Sequence, residues 1–162
     1  VGKTSIITKF LYHTFGEQTT TITPAFMSHQ LENGKVLNIW DTAGQERFDA
    51  LTPQFFKGAD AVALVFSLTD QQTLQKVQKY IDVAKTRAPN AKLFILGNKC
   101  DLGQTIDQGV IDEICESNKA SYFPVSAKTG QNVDQFFSKV VESDKVEEIA
   151  KVDLVKVKRG CC

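Results

Sequence analysis

The chain has 162 residues, which at roughly 150 residues per domain is one compact domain with little to spare. Nineteen basic residues balance nineteen acidic ones, so no global field draws the molecule to nucleic acid or any other polyanion. With 42% apolar and 23% charged residues, disordered, collagen-like and disulfide-scaffold chains are excluded. The longest apolar run, Ala61 to Phe66, falls far short of the about 18 residues a membrane span needs. Two cysteines are isolated (Cys100, Cys115) and two are terminal (Cys161, Cys162), a spacing that suits neither a metal nor a disulfide framework and agrees with a reducing compartment. The sequence begins Val1-Gly2-Lys3-Thr4, with no initiator Met and no signal peptide, and reads as starting inside a domain.

Ile6, Ile7, Phe10 and Leu11 form one stripe of a helix that begins directly after Gly2-Lys3. Residues 16–23 are polar, rich in Thr and without periodicity, an exposed loop. From Phe26 to Trp40 two strand-like runs flank Asn33-Gly34, which predicts a two-residue hairpin turn with Glu32 opposite Lys35 and with Phe26, Leu37 and Ile39 on one face. The runs 61–67 and 93–97, and the shorter 122–125, are continuously apolar, as strands buried on both faces are. Between them lie the helical stripes Leu74, Val77, Ile81, Ala84 and Val110, Ile111, Ile114, Cys115; a last stripe is Val133, Phe136, Phe137, Val140, Val141. Strands alternating with helices of this length predict an α/β fold, a mostly parallel sheet with helices on both faces.

Asp41, Asn98 and Ser126 each follow a predicted strand, and ligands of open α/β sheets bind outside the carboxyl ends of the strands. Gly2-Lys3-Thr4 is the second half of a phosphate-binding loop at a helix start: Gly allows close backbone approach, Lys reaches the β- and γ-phosphates, and the Thr hydroxyl can sit on Mg²⁺. Such a triplet arises by chance in roughly one chain in ten of this length, so alone it is weak. Trp40-Asp41-Thr42-Ala43-Gly44-Gln45-Glu46-Arg47-Phe48 is stronger. Its Asp can hold a Mg²⁺-bound water, Gly44 can offer its N–H to a γ-phosphate, and Gln45 can orient an attacking water. Asn98-Lys99-Cys100-Asp101 after a buried strand fits base recognition, since a carboxylate accepts two hydrogen bonds from guanine that adenine cannot offer. Ser126-Ala127-Lys128 alone is also compatible with a plain helix-capping loop.

Together these motifs resemble, from residue 1 to about 141, a small GTPase of the Ras superfamily and within it the Rab family. The resemblance implies a P-loop NTPase fold binding GTP or GDP with Mg²⁺. It places Gly2, Lys3, Thr4 and Ser5 at the phosphates and Phe15 with its ring edge on the guanine. Thr4, Thr21 and Asp41 stand at the metal, with Thr21 preferred to Thr19 and Thr20. Gly44 and catalytic Gln45 fall in the second switch, and Asn98, Lys99, Asp101, Ser126, Ala127 and Lys128 around the base. The aromatic trio Phe26, Trp40 and Phe55 would read the nucleotide state to effectors. Two departures accompany it: Thr23-Pro24 replaces the family's usual Gly in the first switch, and the family's first strand and the first half of its phosphate loop lie outside this sequence.

The domain is expected to cover 1–141, N-terminally incomplete, and the tail 142–162. Within the tail, residues 142–150 carry a net charge of −3 and residues 151–162 of +3. The terminal Cys161-Cys162 resembles a double prenylation signal, and two lipid chains anchor stably where one is marginal. The implied function is a GTP-hydrolysing switch of vesicle traffic, slow without an activating protein. The implied partners are effectors, an exchange factor, a GTPase-activating protein, a prenylation escort and a dissociation inhibitor. The protein would be cytoplasmic and monomeric, cycling onto the cytosolic face of an intracellular membrane and binding no nucleic acid. A second reading is a non-hydrolysing or nucleotide-free interaction protein, because the phosphate loop is incomplete.

Overall fold

The computed structural model describes residues 1–16, 21, 24–31, 34–42, 55–142 and 150–153, the last four as backbone alone. The elements in chain order are α1 (Lys3–Tyr12), β1 (Ala25–Gln30), β2 (Val36–Asp41), β3 (Ala61–Ser67), α2 (Gln71–Gln75), α3 (Val77–Arg87), β4 (Lys92–Asn98), a 3₁₀ turn (Cys100–Leu102), α4 (Gln108–Asn118), β5 (Ser121–Pro124), α5 (Val133–Glu142) and β6 (Ala150–Asp153). Among the described residues the strands form one sheet in the order β1-β2-β6-β3-β4-β5, antiparallel at β1–β2 and parallel elsewhere. Helices cover both faces, so the central strands are apolar along their length: Ala61, Val62, Ala63, Leu64 and Phe66 of β3 are all buried.

One face is closed by α1 and α5, whose Ile6, Ile7, Phe136, Phe137 and Val140 pack on Leu37, Ile39, Ala63 and Leu96. Phe10 stacks on Phe137 at 3.8 Å between ring centroids, joining the two helices. The other face is closed by α2, α3 and α4 through Leu74, Val77, Ile81, Ile111 and Cys115 against Val62, Leu64, Phe66 and Ile95. The stripe read from Leu74 to Ala84 thus keeps its buried face while being carried by two helices that meet at Lys76. Val110, the first member of the next stripe, is exposed; Ile111 and Cys115 carry that contact. No described helix is long and apolar enough to cross a membrane.

The hairpin differs from expectation by one residue. Leu31 N–H donates to the Lys35 carbonyl, Gly34 N–H donates to the Leu31 carbonyl, and Gly34 has φ +81°, so three residues lie between the paired positions 31 and 35. A left-handed glycine closing a three-residue loop is the next common hairpin after the two-residue turn. A register shift of one residue reverses faces. Phe26 therefore stands opposite Trp40, and it is Met27, opposite Ile39, that lies against the core with Leu37.

Residues 150–153, within the stretch read as tail, lie between β2 and β3. β6 pairs with four residues of β2 (Leu37–Trp40) and two of β3 (Ala61, Val62).

Candidate functional site

The parallel topology brings the carboxyl ends of β2 and β4 and the start of α1 to one end of the sheet. Gly2 caps α1 in the left-handed region, φ +92°, which an L side chain resists. A Cβ there would lie 2.6 Å from Asn98 Nδ2, so the backbone at Gly2 runs directly against β4's last residue. Thr4, in the first turn of α1, donates its hydroxyl to Asp41 Oδ2 at 2.5 Å and lies 2.7 Å from the Thr21 hydroxyl; Thr21 in turn donates to Asp41 Oδ2 at 3.5 Å. Asp41 is only 1% exposed, and its Oδ1 has no hydrogen-bond partner among the described residues.

Burial pushes the Asp41 carboxyl above the ordinary value, opposed by the Thr4 hydrogen bond, the charge of Lys3 and the Thr21 hydrogen bond. A buried carboxylate with an unpaired oxygen beside two hydroxyls is an all-oxygen, hard donor set, which suits Mg²⁺ and not a soft metal. The residues Thr4, Thr21 and Asp41 thus fit the ion that the sequence motifs imply.

The second half of the site is built from the loops after β4 and β5. Asn98, 2% exposed, donates from Nδ2 to the Val1 carbonyl at 2.9 Å and accepts from the Ala127 N–H at Oδ1, 3.1 Å. Lys99 sits in the left-handed region, φ +67°, the kind of local strain that a surrounding structure must hold in place. That bend leads into the 3₁₀ turn presenting Asp101. Ser126, fully buried, donates to Asp101 Oδ1 at 2.6 Å and accepts from Thr129 N–H at 3.1 Å, fixing the plane of an exposed carboxylate. Ala127 is buried beside it, while Lys128 and Phe15 are exposed.

The structure therefore brings Gly2, Lys3, Thr4, Thr21, Asp41 and Asn98 together, and clusters Asp101 with Ser126. Gly44 and Gln45, like Cys161 and Cys162, lie outside the described residues. Phe26, Trp40 and Phe55 form a continuous row of tilted ring contacts, with centroids 5.0 Å and 5.8 Å apart, and Phe26 is half exposed. Thr129 and the Val1 carbonyl were missed from sequence; the first follows a Ser that reads as a cap, and nothing local links positions 1 and 98.

A glycine-led helix start facing a strand-end carboxylate, with a serine-held aspartate on the neighbouring loops, defines an α/β domain built to bind a nucleotide at the carboxyl edge of its sheet. The Ras family model matches residues 1–145. The putative ras-related protein Rab-5B of Dictyostelium discoideum is 36% identical over 147 residues, spanning 86% of this chain and 68% of that protein. The GTP-binding protein YPT53 of Saccharomyces cerevisiae is 34% identical over 155 residues (88% and 70%). The Ras-related protein Rab-21 of Bos taurus is 33% identical over 162 residues (93% and 73%). The chain belongs to the Ras family, as a Rab-like small GTPase.

Proposed function

We propose that this chain is a guanine-nucleotide switch of membrane traffic that hydrolyses GTP slowly alone and faster with an activating protein. The observation that carries this reading is the convergence of Thr4, Thr21 and Asp41 at the same sheet end as the Ser126-held Asp101. In this reading Gly2 and the α1 N-terminus take the phosphates with Lys3 and Ser5, and Asp101 accepts from guanine's N1–H and amine. Phe15 and Lys99 flank the base, and Ala127 and Lys128 back it. Thr4, Thr21 and Asp41 would hold Mg²⁺, which when bound neutralises phosphate charge. Gly44 would donate to the γ-phosphate and Gln45 would orient the attacking water.

The state of the nucleotide differs by one phosphoryl group, so effector choice has to be transmitted through residues beside it. Trp40 adjoins Asp41 in β2 and makes tilted ring contacts with Phe26 and Phe55, which supports this trio as the reading surface for effectors. Cys161 and Cys162 would carry prenyl chains, handled by an escort and a dissociation inhibitor, with an exchange factor completing the cycle.

Titration of the chain with fluorescent GDP and ADP tests the reading. Saturable binding of GDP but not ADP, lost in Asp101→Ala, is expected. Equal binding of the two, or of neither, would replace it by the interaction-protein reading.

A further inference from the structure

At the other end of the sheet, where β3, β4 and β5 begin, lies a cavity of about 480 Å³. Val62, Ala84, Ala88 and Phe94 make a buried apolar floor. Around it stand four exposed lysines, Lys85, Lys92, Lys119 and Lys139, with no acidic side chain in the lining.

Lysines near helix C-termini are ordinarily explained by the helix dipole, and three of these qualify: α3, α4 and α5 all end here. Each helix end carries roughly half a negative charge, so three of them offset about 1.5 of the four positive charges. Glu142, 3.2 Å from Lys139 Nζ, offsets one more. An excess of about 1.5 positive charges remains over the cavity. Lys85 Nζ donates to Asn118 Oδ1, a neutral partner that leaves its charge in place, and the side-chain ammonium groups of Lys92 and Lys119 have no hydrogen-bond or ion-pair partner among the described residues.

Every cation in the lining is Lys, a compact point charge that can meet a tetrahedral phosphate from any side. The volume is that of a small-ligand site, about 300–1,000 Å³, and the apolar floor suits the carbon frame that bears the phosphate. We propose that this cavity binds a phosphomonoester-bearing lipid headgroup, at the pole of the domain away from the nucleotide. A membrane source agrees with Rab homologues acting on intracellular membranes.

The test is flotation of the full chain with phosphatidylcholine vesicles containing phosphatidylinositol 4-phosphate, beside charge-matched phosphatidylserine vesicles. Preference for the phosphomonoester lipid is expected, and Lys92→Gln/Lys119→Gln should weaken it by about 25-fold, at about fivefold per lysine removed. Both lysines are exposed, so the variant's melting temperature and GDP binding stay unchanged, and Lys3→Ala leaves vesicle binding intact. Equal binding by the double variant, or equal binding to phosphatidylserine, overturns the site, since charge elsewhere in the chain would then account for attachment. Capture of soluble glycerol 3-phosphate at these lysines without vesicle binding overturns the lipid assignment.

Discussion

Asn98 and Val1, 97 positions apart, are hydrogen-bonded, Nδ2 to carbonyl at 2.9 Å, while the same side chain accepts from Ala127 N–H. One buried amide thus ties the start of α1 to the loop that carries Ser126. Asn98→Ala leaves the shielded Ala127 N–H and the part-buried Val1 carbonyl without these partners, a loss of about 2–6 kcal/mol at about 1–3 kcal/mol for each group. Urea unfolding measures it, and GDP affinity should fall in parallel because both loops belong to the proposed nucleotide site. Asn98→Asp, which keeps the acceptor and loses the donor, should be intermediate.

Gly2→Ala meets two obstacles. The left-handed φ of +92° is unfavourable to any L residue by about 1–2 kcal/mol. The new Cβ would also lie 2.6 Å from Asn98 Nδ2, an atom already held by the Val1 carbonyl. Lower stability is expected, and in the double variant with Asn98→Ala the two losses should be less than additive, since the colliding atom is gone. Additive losses in unfolding experiments would show that the clash relaxes.

Thr4→Ala tests the cation site. Adding MgCl₂ to the GDP complex should raise the melting temperature of the parent chain, because an ion bound only by the folded state stabilises it. In Thr4→Ala and in Asp41→Asn the rise should disappear on differential scanning fluorimetry. A retained rise in both would place the ion elsewhere.

Much of this arrangement is legible in sequence, for identifiable reasons. Within β3 and β4 the stretches 61–66 and 93–97 are apolar throughout, as central strands covered on both faces are, and the α5 face repeats at helical spacing. The face of Phe26 was not legible, because Asn33-Gly34 serves a two-residue and a three-residue hairpin alike and only the register separates them. Motif residues such as Thr4 and Asp41 declare their chemistry, but their meeting depends on the parallel sheet that brings strand ends together. The lysine cavity was hidden for the opposite reason. Lys85, Lys92, Lys119 and Lys139 are far apart in a chain of zero net charge, and each alone reads as an ordinary helix-end or strand-end lysine.

Gln45→Leu removes the side chain assigned to the attacking water and leaves the phosphate and base contacts in place. GDP binding should stay within a few-fold of the parent. Hydrolysis stimulated by an activating protein, whose arginine is worth about 10³–10⁵ in rate, should fall close to the unstimulated level. Single-turnover phosphate release measures this; unchanged stimulated release would remove Gln45 from the mechanism.

The α4–β5 corner should set the alkaline limit of stability. Cys115 is buried on the α2–α4 face, and burial, with Asp112 adding, pushes its thiol from 9.0 to about 11. Tyr122 has a buried hydroxyl with no hydrogen-bond partner among the described residues, and burial, followed by the charges of Cys115, Cys100 and Asp112, pushes it from 10.0 to about 12. Both groups keep their protons in the folded state at pH values where the unfolded chain has lost them. The folded state therefore binds more protons, and stability falls as pH rises through this window. The contribution is complete below pH 9.0 and is lost as pH climbs through about 11 for Cys115 and about 12 for Tyr122. Tyr122→Phe removes a hydroxyl that has no hydrogen-bond partner among the described residues, so it should leave neutral-pH stability nearly unchanged. In urea unfolding across this range the variant should lose less stability than the parent above pH 10.0, where only the phenol still separates the two chains. Parallel declines would mean that the phenol ionises as freely folded as unfolded.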